Sequence, residues 1–447
     1  MRFSSGTRTP AKSCCGSGEA RGPGVRVVGM LLSGAMLYFF ANVQRVAIPG
    51  TVFDSLQAEL NLSAPSVTGF GSAFMYLYAL AQLPVGMLVD RFGGIRVIAT
   101  GAACFCAGSL LFALARNPGA LYLARMLTGL GAATFYLSLI RETILAFERD
   151  YGIAISVVIM IGYAGGIAAA APFAAAVEAI GFRNVLLLTG VIPMVFACAF
   201  LGFSVPFPPL PERRGGAGGM LLRVLSVRHN RELFCFSGIN FGLYYVLQTV
   251  IGRKFLQDFC NMDPTWSAWV FSITGVFSAS ANVLFAVVSR ATGNRRRIFC
   301  RFAGVVGCVV FPTLTLLVGF DIRTAAVAVL FCLLALTASL SAILIPLLRE
   351  TNPEEASGSA IALMNFSFYL AVAVFGNLVG WLMNLFPPAV CDGIRLYGRG
   401  SYLTVFGVLS VFAVVSAVLS WRLKETRGER RIIEPDGRCP GGSAGRE

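Results

Sequence analysis

Across 447 residues, 56% hydrophobic side chains against 13% charged, at a mean hydropathy of +0.74, give more apolar surface than a water-soluble domain can hide, so lipid is the solvent for most of the chain. The net charge of +14 does not point to nucleic acid, because the arginines sit in short runs between apolar blocks and not on one basic, polar face. A single histidine, His229, and scattered cysteines without a C-x-x-C pair leave no metal cluster, and neither a metal nor a cofactor is expected.

Residues 1–24 form a Gly-, Ser- and Arg-rich tail with little to bury and are expected to be mobile. Apolar stretches long enough for about 30 Å of hydrocarbon follow near 27–53, 65–88, 94–115, 119–140, 152–178 and 183–205. A basic linker at 206–230, rich in Pro and Gly, separates them from six more near 231–252, 266–288, 299–319, 323–346, 357–385 and 402–421. A second polar tail, 422–447, is also expected to be mobile. The reading is an all-α membrane protein of twelve transmembrane helices, built as a six-helix bundle at 25–205 and another at 231–421. Sliding the chain by 204 residues supports a repeat: Ser33-Gly34 falls on Ser237-Gly238, Gln44 on Gln248, Asp54 on Asp258, Gly71 on Gly275 and Arg91 on Arg295.

With the N-terminus cytoplasmic, the tails and the loops on that side hold 27 of the 36 Lys and Arg residues, against seven on the opposite side. This excess places both termini in the cytoplasm, which for a bacterial protein means the inner membrane. Trp266, Trp269, Trp381 and Trp421 fall near helix ends, where an amphipathic ring prefers the interface.

In the first helix Tyr38, Asn42 and Arg45 share one face. If that helix runs to Phe53, Arg45 lies about 9 Å outward of its centre at 1.5 Å per residue. An arginine there costs up to about 2.5–3.5 kcal/mol in lipid. It either snorkels to the interface or tops a polar stripe facing a wet cavity. Other pairs at helical spacing are Ser72 with Tyr76, Arg125 with Thr128, the series Asn240, Tyr244 and Gln248, and Asn365 with Tyr369. Each is open to a second explanation as an interhelical hydrogen bond. No Asp or Glu occupies the middle third of any predicted helix; Asp54, Glu142 and Glu178 sit near helix ends, so coupling through a buried carboxylate is not expected.

Between the second and third helices stands Gly86-Met87-Leu88-Val89-Asp90-Arg91-Phe92-Gly93-Gly94-Ile95-Arg96. Gly86 and Gly93 permit a close approach and a tight turn, while Asp90 can meet a helix N-terminus or an arginine such as Arg141, so that Asp90, Arg91 and Arg96 belong to a latch on the cytoplasmic side. The pattern G-x-L-x-D-R-x-G-x-x-R resembles the signature loop of the major facilitator superfamily. Arg125 followed by Gly129 and Gly131 resembles its fourth-helix pattern, and Gly181-Phe182-Arg183 the motif opening its sixth helix. The weaker second copy, Gly293-Asn294-Arg295-Arg296-Arg297, sets Asn294 opposite Asp90. The resemblance implies a secondary carrier working by alternating access, with helices 1, 4, 7 and 10 lining the cavity and a gating role for the loop. Asn42-Val43-Gln44-Arg45 with Pro49 is similar to the anion-handling branches, where a first-helix arginine grips carboxylate or phosphate.

The expected partners are a small solute, a coupling ion or counter-anion, and the bilayer, with the chain acting as a monomer. Two other readings stand beside an organic-anion carrier. One is an exporter of amphipathic or cationic compounds, and the other is a receptor that keeps the fold and moves nothing. No Ser/His, Asp-pair or metal constellation within the spans suggests an enzyme.

Overall fold

The structure is a computed structural model that describes residues 24–147, 151–205, 217–338, 340–391 and 394–433, without the side chains of 90, 151–153, 156, 217, 218, 354, 391 and 394. The first half comprises α1 (Val25–Ala47), a short α2 (Phe53–Leu60), α3 (Ala64–Phe92), α4 (Gly94–Leu114), α5 (Pro118–Ala146), α6 (Tyr151–Ala168), α7 (Ala171–Ile180) and α8 (Phe182–Phe203). A linker helix, α9 (Ala217–Ser226), leads to the second half. There α10 (Arg228–Val246), a π-helical turn (Leu247–Ile251) and α11 (Gly252–Asp258) form one span, followed by α12 (Pro264–Ala291) and α13 (Arg297–Gly319). The last elements are α14 (Val327–Ala338), α15 (Ser341–Thr351), α16 (Glu354–Met383), a two-stranded antiparallel hairpin of β1 (Ala389–Cys391) and β2 (Ile394–Leu396), and α17 (Arg399–Arg422).

Among the described residues eleven spans are long and apolar enough to cross a membrane, and α6 with α7, bent by 50°, makes twelve. An even number leaves the start of α1 and the end of α17 on one side, here the tail side; α2, α11 and the hairpin lie at the far side. Helices in lipid gain little from apolar contact with one another and associate by close packing. On α16, Gly376 and Gly380 supply this against α3, where added Cβ atoms would fall 2.6 Å from Ser72 Oγ and 1.9 Å from Thr68 Oγ1. Trp266, Trp269, Trp381 and Trp421 are exposed near helix ends, as an interfacial ring should be.

Three expectations meet a different outcome or none. The first span stops at Ala47 instead of Phe53, and the chain turns there into α2, whose Phe53 and Leu56 are buried. The linker is partly helical, because Met220, Leu221 and Val224 of α9 pack on the second half's core. The C-terminal tail is not free as far as Ile433: Glu425 accepts the amides of Arg296 and Arg297 at 2.8 and 3.1 Å, Arg431 and Ile433 donate their amides to Glu350 and Thr351, and Thr426 is buried. Residues 1–23, 206–216 and 434–447 lie outside the described residues.

Candidate functional site

Arg45 lies in the last turn of α1, 5% exposed, with its guanidinium turned inward. Its Nη1 donates to the Tyr369 hydroxyl on α16 at 2.9 Å, and its Nη2 donates to Asn42 Oδ1 one turn back. The rings of Tyr369, Tyr78 and Tyr245 lie 5.3, 5.5 and 5.9 Å from the guanidinium carbon, within cation–π range. Tyr78 stands at the middle of α3, Tyr369 at the middle of α16, and Tyr245 near the middle of the span Arg228–Asp258. The guanidinium is therefore level with the centre of three helices although its Cα is near the end of its own. A snorkelling side chain would reach away from such partners.

Among the described residues no carboxylate pairs with Arg45, and its buried Nε has no hydrogen-bond partner. The geometry is a cation held between the halves by neutral groups, with its Nε–H unpartnered. Such an arrangement suits an incoming anion, because guanidinium presents several donors in one plane. Tyr38 belongs to the same face: the Asn42 amide donates to its carbonyl at 2.9 Å, and its ring packs against Tyr136 at 5.7 Å between centroids.

The other expected residues divide. Tyr369 joins the cage, and Asn365 lies half-buried one turn before it on α16. Tyr76 points to a different face from Tyr78 and accepts from Asn377 at 3.2 Å. Arg125 is fully buried within the first half, donating to the Phe70 carbonyl, Gln44 Oε1 and the Ile48 carbonyl at 3.3–3.4 Å, over the Phe74 ring at 4.5 Å. These partners lie on α1, on Ile48 just after it, and on α3, so Arg125 ties helices of the first half together and is not brought to the cage. Asn240 donates to the Thr337 carbonyl at 2.9 Å, fixing α10 beside the end of α14, and Gln248 is bonded to Thr274 and the Phe271 carbonyl on α12. Tyr244 packs beside Tyr245, at 6.2 Å between centroids, and has no part in the contacts to Arg45. Tyr78 and Tyr245 are the residues that sequence reasoning passed over. Both sit beside chosen tyrosines, Tyr76 and Tyr244, and the shared aromatic type was the available signal.

Two polar clusters flank the cage. At the far side, Lys254 on α11 is 2% exposed and pairs with Asp54 on α2 and, at 3.2 Å, with Asp258. Around it the halves are stitched by Gly50 N to the Thr249 carbonyl at 2.9 Å, Arg253 to the Thr51 carbonyl at 3.1 Å, Gln57 to the Tyr397 hydroxyl at 3.0 Å and Arg395 to Asn61 at 2.9 Å. The inter-half bonds thus run from the cage outward to the far side. At the tail side, Gly93 adopts φ +85° between α3 and α4, a conformation that favours glycine. Arg141 reaches this turn: it pairs with Glu142 at 2.8 Å, and the same Glu142 oxygen accepts the Gly94 amide at 2.8 Å. Gly86 has open space around it, Arg91 and Arg96 are exposed, and the Asp90 side chain lies outside the described residues.

Known proteins share this architecture. A structure of a bacterial homologue of the human lysosomal transporter Spinster, titled as inward-facing and unoccupied, superposes with a TM-score of 0.70 at 16% identity, over 90% of this chain and 97% of that one. The inner membrane transport protein YajR of Escherichia coli is 24% identical over 428 residues, 86% of this chain and 90% of that protein. The uncharacterized transporter YybO of Bacillus subtilis is 30% identical over 176 residues, 39% of either chain, so the match spans about two-fifths of that relative's length. The sequence profile of the Major Facilitator Superfamily matches residues 30–376, more than half of the chain, and with twelve spans and this fold the protein belongs to that superfamily.

Proposed function

We propose that the chain moves a small organic anion across the membrane by alternating access, with Arg45 as the anchor. That it is a multi-pass membrane transporter of small solutes, and not an enzyme, follows from its family. The observation carrying the finer reading is Arg45 itself: a buried guanidinium between the halves, without a carboxylate and with an unpartnered Nε. Tyr38, Asn42 and Tyr369 complete the anchor, and Asn365 lies within a helical turn of it. In this reading both tails are cytoplasmic, so the Lys254 cluster is the outer gate and the Gly93 turn, with Arg141, the cytoplasmic one. The superfamily moves solutes through one midplane site exposed to each side in turn, and the cage joins residues of both halves at that level. A cation exporter would want an unpaired carboxylate there, and the described acidic side chains lie toward helix ends.

Uptake of labelled carboxylates, sugar phosphates and cationic drugs into proteoliposomes, with and without pH or sodium gradients, identifies a substrate and any coupling ion. Binding of that substrate to Arg45→Lys, Arg45→Gln and Arg45→Ala then tests the anchor. Loss of a buried ion-pair partner leaves the other charge unmatched, so Ala and Gln are expected to weaken binding at least tenfold and Lys by less, with normal membrane insertion. An Ala variant of wild-type affinity overturns the reading.

A further inference from the structure

We infer that the Arg45 cage accepts a monovalent oxyanion carried on a flat, apolar body, and discriminates against dianions. The inference rests on the anion reading above and adds its charge and shape. Charge comes first. Among the described residues between the far-side cluster and the Gly93 turn, the charged side chains are Arg45 and Arg125. Arg125 has committed donors on Nε, Nη1 and Nη2 to neutral oxygens inside the first half and is wholly enclosed there, so it supplies no second grip. Lys254 is balanced by two carboxylates, and Arg253 donates to the carbonyls of Thr51 and Pro264. The cage therefore has one net positive charge. A monoanion makes a neutral pair with it, whereas a dianion leaves a full negative charge in a site where desolvation is not repaid.

The donors agree with a single oxyanion head. Arg45 Nε–H is free of any protein partner. The Tyr369 hydroxyl, which accepts from Nη1, lies beside it. Shape follows from the walls. Tyr78, Tyr245 and Tyr369 surround the guanidinium, and Phe241 extends the aromatic surface, stacked on Tyr245 at 5.0 Å between centroids. Aromatic edges and faces at such spacing favour a flat apolar group over a hydrated chain.

The test uses the full purified chain and three probes at pH 8: benzoate, propionate and phenyl phosphate, which is dianionic above its second pKa of about 6. Calorimetric titration is expected to show benzoate binding at least tenfold tighter than phenyl phosphate and tighter than propionate, with loss in Arg45→Ala. Tyr245→Leu, which leaves the charge in place, is expected to reduce the preference for benzoate over propionate, and its elution and melting profile check that it is folded. Phenyl phosphate binding as tightly as benzoate, still dependent on Arg45, overturns the monoanion inference and leaves the anion carrier standing. Equal affinity for benzoate and propionate overturns the flat-body part alone. If none of the probes binds, or binding ignores Arg45→Ala, both the inference and the anion reading fall.

Discussion

Arg45 and Arg125 look alike in the sequence, each an arginine inside an apolar span followed or preceded by polar residues at helical spacing. Their environments separate them. Arg45 meets side chains of both halves through one hydroxyl, one amide and three rings, whereas Arg125 donates to two backbone carbonyls and Gln44 within one half. A buried donor set satisfied by carbonyls stabilises packing, because removing it strands those acceptors at a cost of about 1–3 kcal/mol. Arg125→Leu is thus expected to lower the melting temperature of the purified protein by several degrees while solute affinity in the folded fraction stays within about twofold. A tenfold loss of affinity at unchanged melting temperature would return Arg125 to the binding site. Periodicity could propose the polar face of each helix but not rank neighbouring tyrosines: Tyr76 and Tyr78 point to different partners, and only the packing of α3 against α16 turns the second toward Arg45.

At the level of elements, the tail-side turn was legible because its chemistry is contiguous: the positive φ of Gly93 sits where the glycine pattern requires it. The far-side cluster was not, since Asp54 and Lys254 are 200 residues apart in sequence. A trace of it existed in the 204-residue repeat, which aligns Asp54 with Asp258; the structure brings these two carboxylates to one lysine. The pair Lys254–Asp54 spans the halves, while Lys254–Asp258 lies within α11, so opening the far side breaks only the first and leaves the lysine matched. Asp54→Asn is accordingly expected to favour the far-side-open form without abolishing exchange. A cysteine at Ser72, buried between α3 and α16 here, should then react several-fold faster with an impermeant maleimide added from the far side. Unchanged labelling would show that the cluster does not hold this interface shut.

For the whole molecule, twelve spans and two halves could be read from hydropathy, since span length is set by bilayer thickness and little else. Broken spans were less visible. The bend between α6 and α7 and the π-helical turn inside the seventh span leave hydropathy unchanged, and the ordered segment to Ile433 depends on Glu425, Thr426 and Glu350, which no periodicity connects. The segment fastens the end of α17 to the start of α13 and the end of α15.

On the proposed reading, the charge of Arg45 at mid-depth also makes the carrier an electrical device. If the empty site shifts between the two sides as proposed, it takes the Arg45 charge with it through part of the membrane potential, where a full crossing is worth about 2.3 kcal/mol per 100 mV. A monoanion bound as proposed would cancel that charge, while Arg125 stays enclosed in the first half, so the loaded step should respond to the potential less than the unloaded return. Net efflux from proteoliposomes should therefore change severalfold when a potassium diffusion potential of about 100 mV is imposed, whereas exchange of the same solute across both faces, which never requires an empty return, should keep its rate. Equal sensitivity of the two fluxes would mean that another charge travels with the substrate.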